Sequence, residues 1–216
     1  MVRRLRTLWL LILNETQTIV TLLTAFAILH LRNAHSVYLG AGATLAAIIA
    51  KVLKRFIRQP RPELSVKKTY GMPSTHSSSI AFFGVYLSLC IARLKPHPRF
   101  LPNLLSRRGD SEDFAPLVRG ILTAGVLYGA ISVMWSRVRL TYHTSAQVVA
   151  GASVGGIIAL ACFWLWQSTL VRYTPQLERV VEDLMLVVLE SWQIRSVEPI
   201  KGNLLALIDQ WHQNQL

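Results

Sequence analysis

The stretch VVAGASVGGIIALACFWLW, Val148–Trp166, carries no charged residue along its length and closes on an aromatic cluster. A helix needs about 20 apolar residues, with about 17 tolerated, to cross roughly 30 Å of hydrocarbon. Glycine and alanine at this density suit close helix–helix approach in lipid, where small-xxx-small spacing lets backbones touch. Phe163, Trp164 and Trp166 suit an interfacial aromatic belt. Four further blocks approach the same length once their ends are counted generously: Thr16–Leu31, Tyr38–Leu53, Ser79–Leu94 and Leu117–Trp135. The expected fold is therefore all-α: a polytopic membrane helical bundle of about five transmembrane helices.

Composition agrees. Of the 216 residues 52% are hydrophobic and 16% charged, a balance a soluble domain of this length does not usually carry. After the last block, Leu177, Val180, Val181, Leu184, Val187 and Val188 recur at helical spacing among charges, which predicts an amphipathic helix on the membrane surface or against the bundle. The chain divides into a membrane-embedded unit, 1–170, and a C-terminal amphipathic, peripheral tail, 171–216. At the other end, Leu8–Leu13 is too short to span and is expected to lie in the interface or to extend the first helix. MVRRLRTLWLLIL resembles a signal peptide, but no small-residue cleavage site follows cleanly and NETQ interrupts the run, so the segment is kept with the chain.

The net charge of +12 points to an anionic partner: nucleic acid, a membrane surface or a phosphorylated substrate. Because the basic residues sit at the edges of apolar blocks, nucleic acid is set aside. Cys90 and Cys162 both fall inside apolar blocks, which reads as packing. No Cys/His cluster has zinc spacing, so no metal is implied.

If all five blocks cross, segments 51–78 and 136–147 share one membrane face, and the mixed-sign loop Lys95–Pro116, with RRGDSED, lies on the other. The shared face collects Lys54, Arg58, Arg61, Lys67, Lys68, His76, Arg137, Arg139 and His143. Basic residues recruited to bind a ligand are a poor topology signal, so charge leaves the orientation open.

Three clusters stand on that face. In KRFIRQPRP, Lys54–Pro62, Lys54 and Arg58 are one helical turn apart, and Pro60 and Pro62 end the helix and hold Arg61 in an extended segment. Lysine supplies a point charge and arginine a fork that matches two phosphate oxygens; the same residues could equally form a juxtamembrane patch for anionic head groups. In GMPSTHSSS, Gly71–Ser79, hydroxyl residues stand where a helix N-cap belongs, and the free N–H groups of a helix start bind anions. His76 would project from that first turn. In SRVRLTYHTSAQ, Ser136–Gln147, Arg137 and Arg139 leave one block and His143 stands before the next. Gln147, four residues on, can lie under the imidazole, or it can close a capping box with Thr144. Together the clusters supply what phosphoryl transfer needs without a metal: fixed positive charge for the equatorial oxygens, a nucleophile in line and an acid for the leaving oxygen. Histidine can fill both of the last two roles.

Lys54-x6-Arg61-Pro62, Pro73-Ser74-x-His76 and Ser136-Arg137-x5-His143 resemble, in order and rough separation, the three signature motifs of the type-2 phosphatidic acid phosphatase superfamily, over about residues 45–160. The resemblance implies that His143 attacks phosphorus to form a phosphohistidine, that His76 protonates the leaving oxygen, and that Lys54, Arg61, Ser74 and Arg137 hold the phosphoryl oxygens. Neither metal nor cofactor takes part. Two positions depart from the usual motifs: Thr75 stands in place of a common glycine, and Gln147 in place of the aspartate that orients the histidine. Glutamine can accept the Nδ1–H but brings no charge. IRQPRP, GMPSTHS and YHTSAQVVAG look like the dolichyldiphosphatase branch, in which glutamine is the usual form. That branch implies hydrolysis of dolichyl diphosphate to dolichyl phosphate and inorganic phosphate at the lumenal face of the endoplasmic reticulum membrane, recycling the carrier for protein N-glycosylation. The expected partners are this polyprenyl diphosphate and the membrane, with no obligate protein partner evident. Because the motifs read phosphate and not tail, undecaprenyl diphosphate and phosphatidate are alternative substrates. A non-catalytic protein that binds anionic lipid is the alternative outside the enzymes.

Overall fold

The structure is a computed structural model and describes residues 9–10, 12–65, 68–94, 116–188 and 190–191. Lys67, the basic N-terminal run, the loop from Lys95 to Phe114 with RRGDSED, and the tail beyond residue 191 lie outside the described residues.

Every regular element described is helical. We label them α1 (Thr16–Leu31), α2 (Ala34–Ile57), α3 (Thr75–Arg93), α4 (Pro116–Arg139) and α5 (Ser145–Ser168). A 3-10 turn, Leu170–Tyr173, leads into α6, residues 174–188. Four helices, α2 to α5, are long and apolar enough to cross a membrane. The expected fifth crossing is shorter: α1 has 16 residues, about 24 Å at about 1.5 Å per residue. Residues 9–10 and 12–14 are also helical and prolong α1 beyond a turn at Glu15, so the described part of the Leu8–Leu13 segment extends the first helix. The other helices start or end several residues outside the apolar blocks, because their polar flanks are caps. Asn33 accepts the Ser36 N–H at the start of α2, and Ser74 and Thr144 cap α3 and α5.

Small residues line the contacts of α2 and α5 with α3, while Phe82, Tyr86 and Trp166 fill the rest of the interior. Gly42, Ala43, Ala46 and Ala50 of α2 and Gly151, Gly155 and Ala159 of α5 are buried, and they receive α3 between them. A Cβ at Gly151 would overlap the Ser74 carbonyl, one at Gly155 the Ser78 carbonyl, and one at Gly42 the Phe82 ring. Ser78 Oγ donates to the Ala46 carbonyl at 3.2 Å. Leu22, Leu23 and Phe26 of α1, Leu117, Ile121 and Ile131 of α4, and Val149 and Ile157 of α5 point outward and are exposed. That is the arrangement expected where the surroundings are lipid and helices associate through close backbone packing.

The connections alternate between the two ends of the bundle. The α2–α3 and α4–α5 connections meet at one end, where the Arg61 guanidinium donates to the Tyr142 carbonyl at 2.7 Å and the Ser74 N–H to the Gln147 carbonyl at 3.0 Å. Segments 51–65 and 68–78 therefore do share a face with 136–147. At the opposite end, Trp166 and Ala34 pack with Val181, and Leu177 and Met185 lie against them. One side of α6 thus seals the bundle, while Val180, Leu184 and Val187 on its other sides are exposed.

Candidate active site

Helix α2 stops at Ile57 because Pro60 and Pro62 cannot continue it; Arg58 caps it in the left-handed conformation, φ 50°. Arg58 therefore closes the helix instead of extending the Lys54 face. The chain then runs extended and aims Arg61 across the end of the bundle. Arg61 Nε donates to the Thr69 carbonyl at 2.9 Å and Nη2 reaches the Thr69 hydroxyl at 3.4 Å. Nη1 donates to the Tyr142 carbonyl and, at 2.9 Å, meets His143 Nε2.

This last contact fixes the imidazole's state. Arginine has only donors, so Nε2 must carry the lone pair and Nδ1 the proton. Nδ1 accordingly lies 3.1 Å from Gln147 Oε1. The same oxygen accepts the Thr144 N–H at 3.3 Å, while Thr144 Oγ1 accepts the Gln147 N–H, completing the capping box. The two roles offered for Gln147, imidazole partner and helix cap, are thus both filled, one by each lone pair of one oxygen. Gln147 is 1% exposed and His143 6%. Burial first, then the charge of Arg61 and, more weakly, that of Lys54, pulls the imidazole pKa down to about 4, against the upward pull of its bond to Gln147. Burial also lowers the Arg61 pKa, from a value so high that the group stays charged.

The second cluster joins through backbone. Ser74, fully buried, is tied to α5 by its N–H and caps α3, with its Oγ accepting the Ser77 N–H at 3.3 Å and the Ser77 hydroxyl at 2.9 Å. The starts of α3 and α5, each with unpaired N–H groups, consequently lie side by side. His76 stands on the first turn of α3, half-buried.

Arg137 is placed differently. It is 7% exposed, its Nη2 donates to the Leu13 carbonyl, and its guanidinium lies 5.6 Å from the Tyr142 ring centroid. Its backbone carbonyl accepts the N–H groups of Tyr142 and His143. Its Nε is buried and has no hydrogen-bond partner among the described residues. Arg139 is exposed and stacks 5.3 Å over Trp135. Among the described residues no group of three or more His, Cys, Asp or Glu is placed to hold a metal ion.

Four contributors were not singled out from sequence: Gln59, Thr69, Gly71 and Leu13. Gln147 Nε2 donates to the Pro60 carbonyl at 2.7 Å and to Gln59 Oε1 at 3.2 Å. Gly71 donates its N–H to the Gln59 carbonyl at 2.7 Å, and a Cβ there would overlap the Gln147 amide. The glycine beside Met72-Pro73 was a signal that could have been read as close backbone approach. Leu13 and Thr69 offer carbonyls, which leave no mark on residue type.

Known proteins resemble this chain in the same region. The PAP2 superfamily model matches residues 35–170, the span that holds all three clusters. "Dolichyldiphosphatase 1" of Homo sapiens is 33% identical over 150 residues, 68% of this chain and 59% of that protein, as is its counterpart from Callithrix jacchus. "Lipid phosphate phosphatase gamma" of Arabidopsis thaliana is 31% identical over 170 residues, 77% of this chain and 69% of that protein. The chain thus spans 59% of the length of these two dolichyldiphosphatases. No solved structure matches. The resemblance carried by Lys54, Arg61, Ser74, His76, Arg137 and His143 holds across most of the chain: it belongs to the PAP2 superfamily.

Proposed function

We propose that the chain is a membrane-embedded, metal-independent lipid phosphate phosphatase that removes the terminal phosphate of a polyprenyl diphosphate, dolichyl diphosphate, through a phosphohistidine on His143. The observation that carries this reading is the relay Arg61–His143–Gln147. It presents a neutral imidazole whose Nε2 lone pair faces the arginine fork. In the free protein Arg61 Nη1 occupies the place of the phosphoryl group; its Nε bond to the Thr69 carbonyl keeps it at hand when the substrate phosphate enters.

The reaction runs in two displacements. His143 Nε2 attacks the terminal phosphorus, the bond from phosphorus to the bridging oxygen breaks, and that oxygen leaves on the lipid monophosphate with a proton from His76. Water then attacks the phosphohistidine, His76 takes its proton, and inorganic phosphate and neutral His143 are released. Arg61, Lys54 and the adjacent N–H groups at the start of α3, capped by Ser74, take the charge on the equatorial oxygens. The buried Nε of Arg137 is a further donor. Gln147 holds the developing imidazolium through Nδ1 without supplying charge. A diphosphate suits that weaker support, since its leaving group is a phosphate and not an alkoxide.

The dolichyldiphosphatases among the relatives support a dolichyl substrate, and such a substrate would place the protein in an endoplasmic reticulum membrane with the site facing the lumen. Phosphate release by purified protein in detergent from dolichyl diphosphate, undecaprenyl diphosphate and phosphatidate tests it. Dolichyl diphosphate is expected to give the highest kcat/KM, unchanged by chelator and lost in His143→Ala. Preference for phosphatidate, or no release from any lipid by folded protein, contradicts the reading.

A further inference from the structure

An amide side chain has the same shape in either orientation, yet its two orientations command opposite tautomers of the histidine it touches. With Oε1 toward His143, Nδ1 keeps the proton and Nε2 is a nucleophile. With Nε2 of the amide toward His143, Nδ1 must accept, the ring proton moves to Nε2, and no lone pair faces phosphorus. Something must therefore fix the amide of Gln147. The Thr144 N–H on Oε1, at 3.3 Å, acts from one side. On the other side stand two acceptors, the Pro60 carbonyl at 2.7 Å and Gln59 Oε1 at 3.2 Å. The backbone at Gln59 is held by its carbonyl, which accepts the Gly71 N–H at 2.7 Å, and Gly71 leaves the Gln147 amide room to lie in the gap.

We propose that Gln59 is a positioning residue for the phosphoryl transfer: its side-chain carbonyl fixes the orientation of the Gln147 amide and so keeps His143 in the nucleophilic tautomer. This rests on the reading of His143 as the nucleophile. It also accounts for an amide at position 147. A carboxylate there would set an oxygen against the Pro60 carbonyl with no proton between them, whereas the amide donates to that carbonyl and to Gln59 Oε1 and still accepts from Nδ1.

The test compares Gln59→Leu, which removes the acceptor, with Gln59→Glu, which keeps one, in phosphate release from dolichyl diphosphate. Gln59→Leu is expected to lower kcat about three- to tenfold, the scale of one net hydrogen bond, with KM unchanged. Gln59→Glu should restore kcat and move the acid limb of kcat/KM to higher pH, because its charge favours the imidazolium. Nitrogen-15 spectra of histidine-labelled protein should show His143 protonated at Nδ1 in the wild type and a tautomer mixture in Gln59→Leu. The proposal is overturned if Gln59→Leu keeps wild-type kcat, if its loss lies in KM, or if Gln59→Glu is no better than Gln59→Leu. A tautomer mixture in the wild type overturns it whether or not the variants fold. His143→Ala, measured alongside, separates the two readings. If it still turns over, the site assignment itself is wrong; if it is inactive while Gln59→Leu is normal, only the role of Gln59 falls.

Discussion

The bundle holds a histidine at each end, His35 half-buried and His143 buried, and the two are built for different work. His35, at the start of α2, stacks on Trp166 with ring centroids 4.5 Å apart and meets the Tyr86 hydroxyl at 2.9 Å. Tyr38 closes the same cluster, 5.1 Å from Trp166, with its hydroxyl on the Cys162 carbonyl at 3.0 Å. All of these groups sit on long helices and none of them is a cation. His143, at the other end, meets Arg61 from the α2–α3 connection and Gln147 from the first turn of α5, with two helix starts adjoining. At least partial burial is common to both. What fits His143 for the proposed reaction is directed polarity: a donor on one ring nitrogen, an acceptor on the other, and positive charge where a phosphate would arrive. The His35 cluster instead offers its histidine aromatic faces and one hydroxyl, which is packing with its polar atoms satisfied.

The sharpest way to break this contrast is to remove each histidine. His143→Ala is expected to lower phosphate release by about a thousandfold or more, as loss of a nucleophile does, with little change in thermal unfolding. His35→Ala should leave kcat within about twofold and lower the unfolding temperature, since it removes ring contacts from a packed core. Equal effects on turnover would erase the distinction. Arg61→Ala should cost about a hundredfold or more in kcat/KM, and Arg61→Lys should recover little, because a point charge cannot reach Thr69, Tyr142 and the substrate together. Arg139→Ala, which loses only a stack on Trp135, is the matched control. Gly71→Ala forces a methyl into the Gln147 amide and should lower kcat about tenfold. Gly125→Ala on α4, where a Cβ meets nothing within 4 Å, should change neither activity nor stability.

A smaller effect is read from pH. The imidazole of His143 has a folded-state pKa near 4 against an ordinary value of 6.5, so the free protein keeps it neutral and nucleophilic well into the acid range. The acid limb of kcat/KM due to this group should accordingly fall near pH 4 and not near 6.5. Between those values the unfolded chain binds the proton and the folded one does not. This group therefore removes stability as pH falls from 6.5 toward 4 and removes no more below 4. An acid limb at 6.5 would mean that His143 is more solvated than the structure has it.

Much of the bundle was legible because it is written locally. Apolar blocks gave the helices, hydroxyl residues gave the caps of α3 and α5, and alternation of crossings brought 51–78 and 136–147 to one end. The first block also has the bounds of α1, Thr16–Leu31; at 16 residues α1 is the shortest of α1 to α5, and the helical turns before Glu15 prolong it. Within the site, Lys54, Arg61, Ser74, His76 and His143 could be chosen because their side chains carry charge, hydroxyl or imidazole at helix ends. Gln59 could not, since its contribution is an oxygen to a partner 88 positions away, and Gly71 offered only the general signal of a close backbone approach, not the partner it makes room for. Nor could the engagement of Arg137 with Leu13, which is a bond to a backbone carbonyl across 124 positions. Gln147 is the instructive middle case. Sequence offered two roles as alternatives, and two lone pairs on one oxygen fill both.

The account stands most directly on the phosphorus–nitrogen bond to His143. Rapid acid-free quenching of the protein mixed with dolichyl diphosphate labelled at its terminal phosphate should trap a protein-bound label that is stable to base and lost in acid, that maps to His143, and that is missing in His143→Ala. Turnover with no such label, or the same label in His143→Ala, would contradict it.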